Sequence, residues 1–311
     1  MSRVLVTGIE GFVGGHLARR LRDSGHDVVG IHYAEPPAGL PARLMHGDVR
    51  VFPLLRLLVR ASEPDWVVHL AGLSSVATSE TRGSETWTIN ATGTLNLLES
   101  VRQLELDCRV LVISSADVYG RSNIGKPLEE DAPELPLSPY ALSKQAAEDI
   151  ARFYHRAYGT QCIILRPFSH TGPGQAPNFV FPKVAHAIAQ VEAGRRDPVI
   201  EMGNLEVRRD YTDVRDIVRA YELALQHCTP GETYNVTSGK PALIGDGVEL
   251  LRSKAKVPVE VRTAAAMLRG RDIPVLTGNP DKFRAATGWM PEIPFDQTLS
   301  DLLDYYRAQA E

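Results

Sequence analysis

Cysteine is scarce. The chain has three in 311 residues, Cys108, Cys162 and Cys228, far apart and without C-x-x-C spacing. A disulfide framework and a metal site are therefore not expected, and a reducing cytoplasm is the default compartment. A surplus of positive charge is missing as well. Against 38 acidic residues stand 34 basic ones, for a net charge of −4. That excludes a broadly basic surface for coating nucleic acid and leaves room for a local basic pocket. No apolar run approaches the roughly 18 residues of a membrane span. Residues 1–6 lead straight into a motif at Thr7, so no signal peptide is expected. The rest is ordinary for a globular protein, with 43% apolar and 23% charged residues. At about 150 residues per domain, the length suits one large domain or two modest ones.

Short apolar runs alternate with helical patterns through the first half. Val4-Leu5-Val6 reads as a buried strand ending at Thr7-Gly8. Val13, Leu17 and Leu21 then fall four apart on one helical face, and Gly25 stops the helix. Further strands are expected at 27–32, 42–46, 66–71, 109–113 and 161–165, with helices at 51–60, 84–105 and 138–158. This alternation predicts an α/β fold, a Rossmann-type doubly wound parallel sheet covered on both faces. After Pro167 the pattern becomes irregular, and Gly, Pro and Asn cluster at 171–178. The expected division is a dinucleotide-binding domain over 1–166, with 203–236 packing back on it, and a smaller α/β substrate-binding lobe over 167–311.

Residues 7–14, TGIEGFVG, place Gly8, Gly11 and Gly14 between a strand and a helix. Such glycines let the backbone turn tightly against a diphosphate, and the helix N-terminus favours the anion. A carboxylate beside a diphosphate is repulsive, so Glu10 is expected to point to solvent. Near the end of the second strand, where an acid would hold the ribose hydroxyls of NAD, stands His32. The missing acid leans the reading toward NADP(H), with NAD(H) the alternative. No Arg or Lys follows immediately to hold a 2′-phosphate, and His32 also reads as an ordinary strand-end residue.

Residues 138–144, SPYALSK, carry Tyr140 and Lys144 one helical turn apart. An ammonium beside a phenol is expected to lower its pKa, so that it can exchange a proton with an alcohol or ketone. Ser114 and Ser115 follow the fifth strand, at the carboxyl edge where open α/β sheets bind ligands. Ser115 can donate a hydrogen bond to a carbonyl oxygen there. Paired serines at a strand end are also common caps.

Together with HLAG at 69–72, Asn90 with Gly93-Thr94, SSADVYG at 114–120 and RPFSHTGPGQ at 166–175, these motifs resemble the extended short-chain dehydrogenase/reductase superfamily over essentially the whole chain. Within it the chain is similar to the nucleotide-sugar branch of epimerases, dehydratases and reductases. The resemblance implies Ser115, Tyr140 and Lys144 as the catalytic set. It implies cofactor contacts from Gly8, Gly11, Phe12, Val13 and Gly14, from His32, Asp48 and Val49, and from Leu70, Ala71, Gly72 and Asn90. Ser114, Tyr140, Lys144, Arg166, Pro167 and Phe168 complete that group. It places the substrate against Ser75, Ser115, Ala116, Ser169, Asn178, Phe179, Val180, Lys183, Arg209 and Arg269. Arg209 and Arg269 are the cations expected to meet the sugar-linked diphosphate. A homodimer pairing helices near 90–105 and 140–158 is also implied, with Leu95, Leu98 and Val101 as apolar positions.

The branch's 4,6-dehydratases carry Ser/Thr-Asp-Glu where this chain has Ser115-Ala116-Asp117. Ala116 cannot protonate a leaving hydroxyl. The second-half motifs are similar to those of reductases acting on GDP-4-keto-6-deoxy-D-mannose, which form GDP-D-rhamnose with NAD(P)H. Ser169 departs from the usual Asn. The expected partner is thus a GDP-sugar, with no nucleic acid and no membrane. A nucleotide-sugar 4-epimerase uses the same residues and is the enzymatic alternative. A catalytically idle nucleotide-binding regulator is the alternative of a different class, against which the intact Ser115, Tyr140 and Lys144 argue.

Overall fold

The computed structural model describes residues 1–122, 126–264 and 273–310. Its strands in chain order are β1 (Arg3–Thr7), β2 (Asp27–His32), β3 (Arg43–His46), β4 (Trp66–His69), β5 (Arg109–Ile113), β6 (Gln161–Pro167), β7 (Ser169–Thr171), β8 (Val199–Met202), β9 (Arg208–Asp213), β10 (Thr233–Val236), β11 (Pro241–Leu243), β12 (Glu260–Thr263) and β13 (Val275–Leu276). A seven-stranded sheet runs β3-β2-β1-β4-β5-β6-β10, and every neighbouring pair is parallel. This is the doubly wound α/β fold expected from the alternation. The strand order reverses between β1 and β4, which opens a crevice at their carboxyl ends.

Successive side chains of a strand face opposite ways, and here both faces are dry. Val4 and Val6 pack with Leu17, Leu21, Ile217 and Tyr221 on one face. Leu5 packs with Leu55, Val59 and Leu97 on the other. The helix Val214–His227 lies beside the helix Phe12–Asp23, and Arg20 Nε donates to Glu222 Oε2 at 2.6 Å across the pair. The chain thus leaves the sheet after β6, returns through that helix and adds β10 to the sheet edge. Between and beyond these returns, β7, β11 and β13 gather around β9, and β12 pairs with β8. The helices Val180–Glu192, Ile244–Ser253 and Phe295–Ala310 enclose a core of their own around Phe181, Ile188, Leu251, Leu299 and Leu303.

Beyond shifts of one or two residues at other ends, β4 and the helix expected over 84–105 differ from expectation. β4 stops at His69, because Ala71 N–H turns to Thr7 Oγ1 (3.2 Å) instead of continuing the ladder. The expected helix over 84–105 is broken into Gly83–Trp87, a π-turn at Thr88–Thr92, and Gly93–Gln103. The wide turn carries Asn90, whose carboxamide bonds Leu73 N–H (2.9 Å), Leu73 O (3.1 Å) and Ser143 Oγ (2.9 Å). Leu98 and Val101, expected on a pairing surface, lie in the core beneath the sheet. The exposed apolar groups of these helices are Leu95, Leu142, Phe153 and Tyr158.

Candidate active site

The glycine loop forms the floor of the crevice. Gly8 has φ +70, and a Cβ there would lie 2.7 Å from Ala71 N. A Cβ on Gly14 would lie 2.6 Å from both Gly8 O and Ile9 O. These positions require glycine for backbone conformation or for close approach. The helix Phe12–Asp23 begins at Gly11 with no side-chain cap and no acid in its first turn. Its first N–H groups are therefore available to an anion. This cradle fits a dinucleotide diphosphate. Behind it His69 is buried, with Nδ1 2.7 Å from Thr7 Oγ1. Burial, aided by the charge of Lys144, pushes His69 down to about 3, so the ring is neutral at working pH.

At the far end of the loop Glu10 does not point to solvent as expected. Its Oε1 accepts from Tyr33 N (2.9 Å) and Ala34 N (3.3 Å), the first amides beyond β2. His32 turns Nδ1 to Ala34 O (3.0 Å). Asp48 accepts from Arg50 N and Nε at 2.9 Å and from Nη2 at 2.6 Å, and the guanidinium holds its carboxyl below the usual range. Val49 packs against Gly93, where a Cβ would lie 2.8 Å from it.

The other wall comes from β5 and the helix Pro139–Tyr158. Ser138 caps that helix through Oγ and Ala141 N (3.1 Å), and Pro139 supplies its first residue. Tyr140 is thereby held against the cleft as a buried side chain, with Lys144 one helical turn further on. Lys144 Nζ donates to Ile113 O at 2.8 Å, at the end of β5. Ser115 follows, and its Oγ accepts from Asp117 N (3.1 Å). The sequence motifs separated by 25 residues thus converge on one cleft. The expected depression of the Tyr140 pKa is corrected. Burial, and then the charge of Asp117, pushes the phenol above its ordinary value, opposed by a hydrogen bond from Ser115. Burial lowers Lys144 to about 8, with Glu148 opposing. Tyr140 accordingly keeps its proton at neutral pH.

Arg166, implied as a cofactor contact, is fully buried behind this wall. Its Nε and Nη2 reach Glu148 at 2.9 and 2.6 Å, another contact joins Glu134, and the guanidinium lies 4.6 Å from the centre of the Tyr119 ring. Arg152 Nη2 adds a bond to Glu148 (2.5 Å), and Ser114 Oγ donates to the same carboxylate. Burying an arginine requires such pairing, so Arg166 supports the wall without facing the cleft. Glu148 was missed by sequence reasoning, although Tyr140, Lys144 and Glu148 repeat every four residues on one helical face.

The cleft measures about 1450 Å³. Pockets for drug-sized ligands measure roughly 300–1,000 Å³, so this cleft has room for more than one such ligand. Gly8, Gly11, Phe12, Val13, Gly14, Leu70 and Gly72 line one half, with Pro167 and Phe168 between. Ser75, Ala116, Ser169, Asn178, Phe179, Val180, Lys183 and Arg209 line the other. Ser75 Oγ also caps the helix Val76–Thr81. Lys183 Nζ donates to Glu201 O (2.6 Å), and Arg209 Nη1 to Ile273 O (2.7 Å). Arg269 lies outside the described residues. Asp117, beside Tyr140, is a cleft residue to which sequence reasoning assigned no role.

A family model described as GDP-mannose 4,6 dehydratase matches residues 5–302. The chain is 34% identical to the GDP-6-deoxy-D-mannose reductase of Pseudomonas aeruginosa, over 99% of this chain and 98% of that one. The solved structure of RMD from Pseudomonas aeruginosa complexed with NADPH superposes with a TM-score of 0.89 at 33% identity, covering 99% of this chain and 100% of the other. The UDP-glucose 4-epimerase of Thermus thermophilus, in complex with NAD, gives 0.87 at 29% identity, covering 98% and 99%.

Proposed function

The chain belongs to the GDP-mannose 4,6-dehydratase family of extended short-chain dehydrogenases/reductases, and from that premise we propose that it reduces the 4-keto group of a GDP-linked 6-deoxy sugar, converting GDP-4-keto-6-deoxy-D-mannose to GDP-D-rhamnose. A bound NADPH or NADH supplies the hydride to C4. Ser115 Oγ accepts from Asp117 N, and on substrate binding its hydrogen turns from Tyr140 to the substrate carbonyl. Tyr140, holding its proton, gives it to the developing alkoxide. Lys144, fixed on Ile113 O, places positive charge beside that transfer.

Position 116 carries this reading. Elimination of a hydroxyl needs an acid at the leaving group, and Ala116 presents a methyl group in the cleft wall. The likeness to the Pseudomonas aeruginosa reductase supports the same choice within a family described by its dehydratases. In this reading residues 1–166, with 203–236 packed back on them, hold the dinucleotide, and the lobe over 167–311 holds the GDP-sugar. Ser169, Asn178, Phe179, Val180, Lys183 and Arg209 face that substrate, and Arg209 meets its diphosphate. A homodimer is part of the proposal, formed through the exposed Leu95, Leu142, Phe153 and Tyr158, as is a cytoplasmic location for a chain with three buried free cysteines. Among the described residues no helix is long and apolar enough to cross a membrane.

The test supplies GDP-4-keto-6-deoxy-D-mannose with reduced nicotinamide and follows cofactor absorbance and product together. One cofactor oxidised and released per sugar is expected. Interconversion of UDP-galactose and UDP-glucose without net cofactor change, with the keto-sugar ignored, would establish the epimerase reading instead. A monomeric mass by light scattering would refute the dimer.

A further inference from the structure

The end of β2 contains an anion of the protein's own. Gly8 N–H (2.9 Å) and Ile9 N–H (3.4 Å) bond Ile31 O, so the glycine loop is tied to that strand end. Glu10, the next residue of the loop, turns its Oε1 onto Tyr33 N and Ala34 N. Two neighbouring amides at a strand end form a concavity suited to an anion. In doubly wound folds the ribose 2′ position of a dinucleotide lies by this strand end. An acid there receives the 2′-hydroxyl of NAD, and a cation there accommodates the 2′-phosphate of NADP. Here the strand supplies His32 and no acid, but the glycine loop delivers a carboxylate to the same place.

The nearby basic side chains are turned elsewhere. Arg50 is held on Asp48 and over the Tyr33 ring at 5.3 Å, and His32 Nδ1 faces Ala34 O. Glu10 Oε2 is buried and has no hydrogen-bond partner among the described residues, so a 2′-hydroxyl reaches it only by opening the strand-end pocket. Among the described residues the carboxylate is held by its two amides and forms no ion pair, and its second oxygen has acceptor capacity left.

We propose that Glu10 is a cofactor-specificity residue, which opposes the 2′-phosphate of NADP(H) and favours a free 2′-hydroxyl, so that NAD(H) binds alongside NADP(H). A 2′-phosphate brings about −1.5 to −2 charges. It would have to share or displace the position that Glu10 holds. The 2′-hydroxyl brings no charge and can donate to a carboxylate. The lack of an acid on β2 is thereby offset from a different segment, where a reading of the strand end alone does not find it. The inference rests on the cleft being a nicotinamide dinucleotide site.

The test is calorimetric titration of NADPH and of NADH, without sugar, into the full-length wild type, Glu10→Gln and Glu10→Ser. Melting temperatures confirm that each variant is folded. Glu10→Gln keeps an oxygen for the two amides and removes the charge. Its affinity ratio is expected to move toward NADPH by about tenfold or more, as loss of a close like charge requires. Glu10→Ser, should the glutamine variant not fold, is expected to move the ratio in the same direction. A ratio within twofold of wild type in a folded variant would overturn the proposal while leaving the dinucleotide site intact. Failure of wild type to bind either dinucleotide would overturn the site reading and this inference with it.

Discussion

The two walls of the cleft are made of different materials. The glycine-loop wall is backbone, shaped by what is absent at Gly8 and Gly14 and by the uncapped start of a helix. The wall across from it is side chain, with Tyr140, Lys144 and Ser115 held in front of the buried Glu148 and Arg166 and their half-buried partners Glu134 and Arg152. At Gly8 and Gly14 the backbone wall has no room for an added methyl group, and its charge preference comes from free N–H groups. A charged wall tolerates small changes of shape but not the loss of one partner, because the remaining charge is stranded in a dry interior.

Tyr140→Phe tests the charged wall most sharply. It removes the proton donor and keeps the ring, so turnover should fall by about 10²–10⁴-fold with dinucleotide affinity nearly unchanged. A variant retaining more than half the wild-type rate would remove Tyr140 from its role. Next comes the layer behind. Glu148→Gln leaves Arg166 without its buried carboxylate, and denaturant unfolding should report a loss of about 3–5 kcal/mol. A loss below about 1 kcal/mol would show that Glu134 alone neutralises the arginine.

Arg209→Ala tests the proposed sugar side of the cleft. Removing a charge-assisted bond worth about 1.5–3 kcal/mol should raise KM for the GDP-sugar and spare NAD(P)H binding. The reverse pattern would place this arginine at the wrong ligand. Gly14→Ala probes the backbone wall. Its methyl meets two carbonyl oxygens, and overpacking of about 1–3 kcal/mol should appear as weaker dinucleotide binding or a lower melting temperature. The smallest effect is on pH dependence. Lys144 is lowered to about 8, so its positive charge is present below that pH and lost above it. The rate with saturating cofactor should therefore decline on the alkaline side of about pH 8. A flat profile to pH 10 would separate Lys144's charge from the reaction.

The sheet was legible because its inner strands are short apolar runs buried on both faces, and residues 27–32 and 109–113 match β2 and β5 at both ends. Positions 8, 11 and 14 and the Tyr140–Lys144 spacing were legible for a similar reason. Each depends on local geometry, a tight turn or one helical turn, that sequence spacing encodes directly. The π-turn at Thr88–Thr92 was not legible, since its side-chain periodicity over one turn is lost within the helical pattern around it. Nor was the burial of Arg166, which as an isolated residue type reads as a surface or ligand-facing cation.

The sequence by itself determined the alternation of elements, the glycine cradle and the one-turn spacing of Tyr140 and Lys144. These are properties of neighbouring residues. Only the tertiary structure decided that Tyr140 is pushed up and not down, that Glu10 reaches the amides beyond β2, and that Arg166 stands behind the site. Each of those outcomes depends on desolvation or on a partner 18 to 24 positions away in the chain. Free energies of that kind arise from the burial and distance of charges in three dimensions, which residue spacing does not encode.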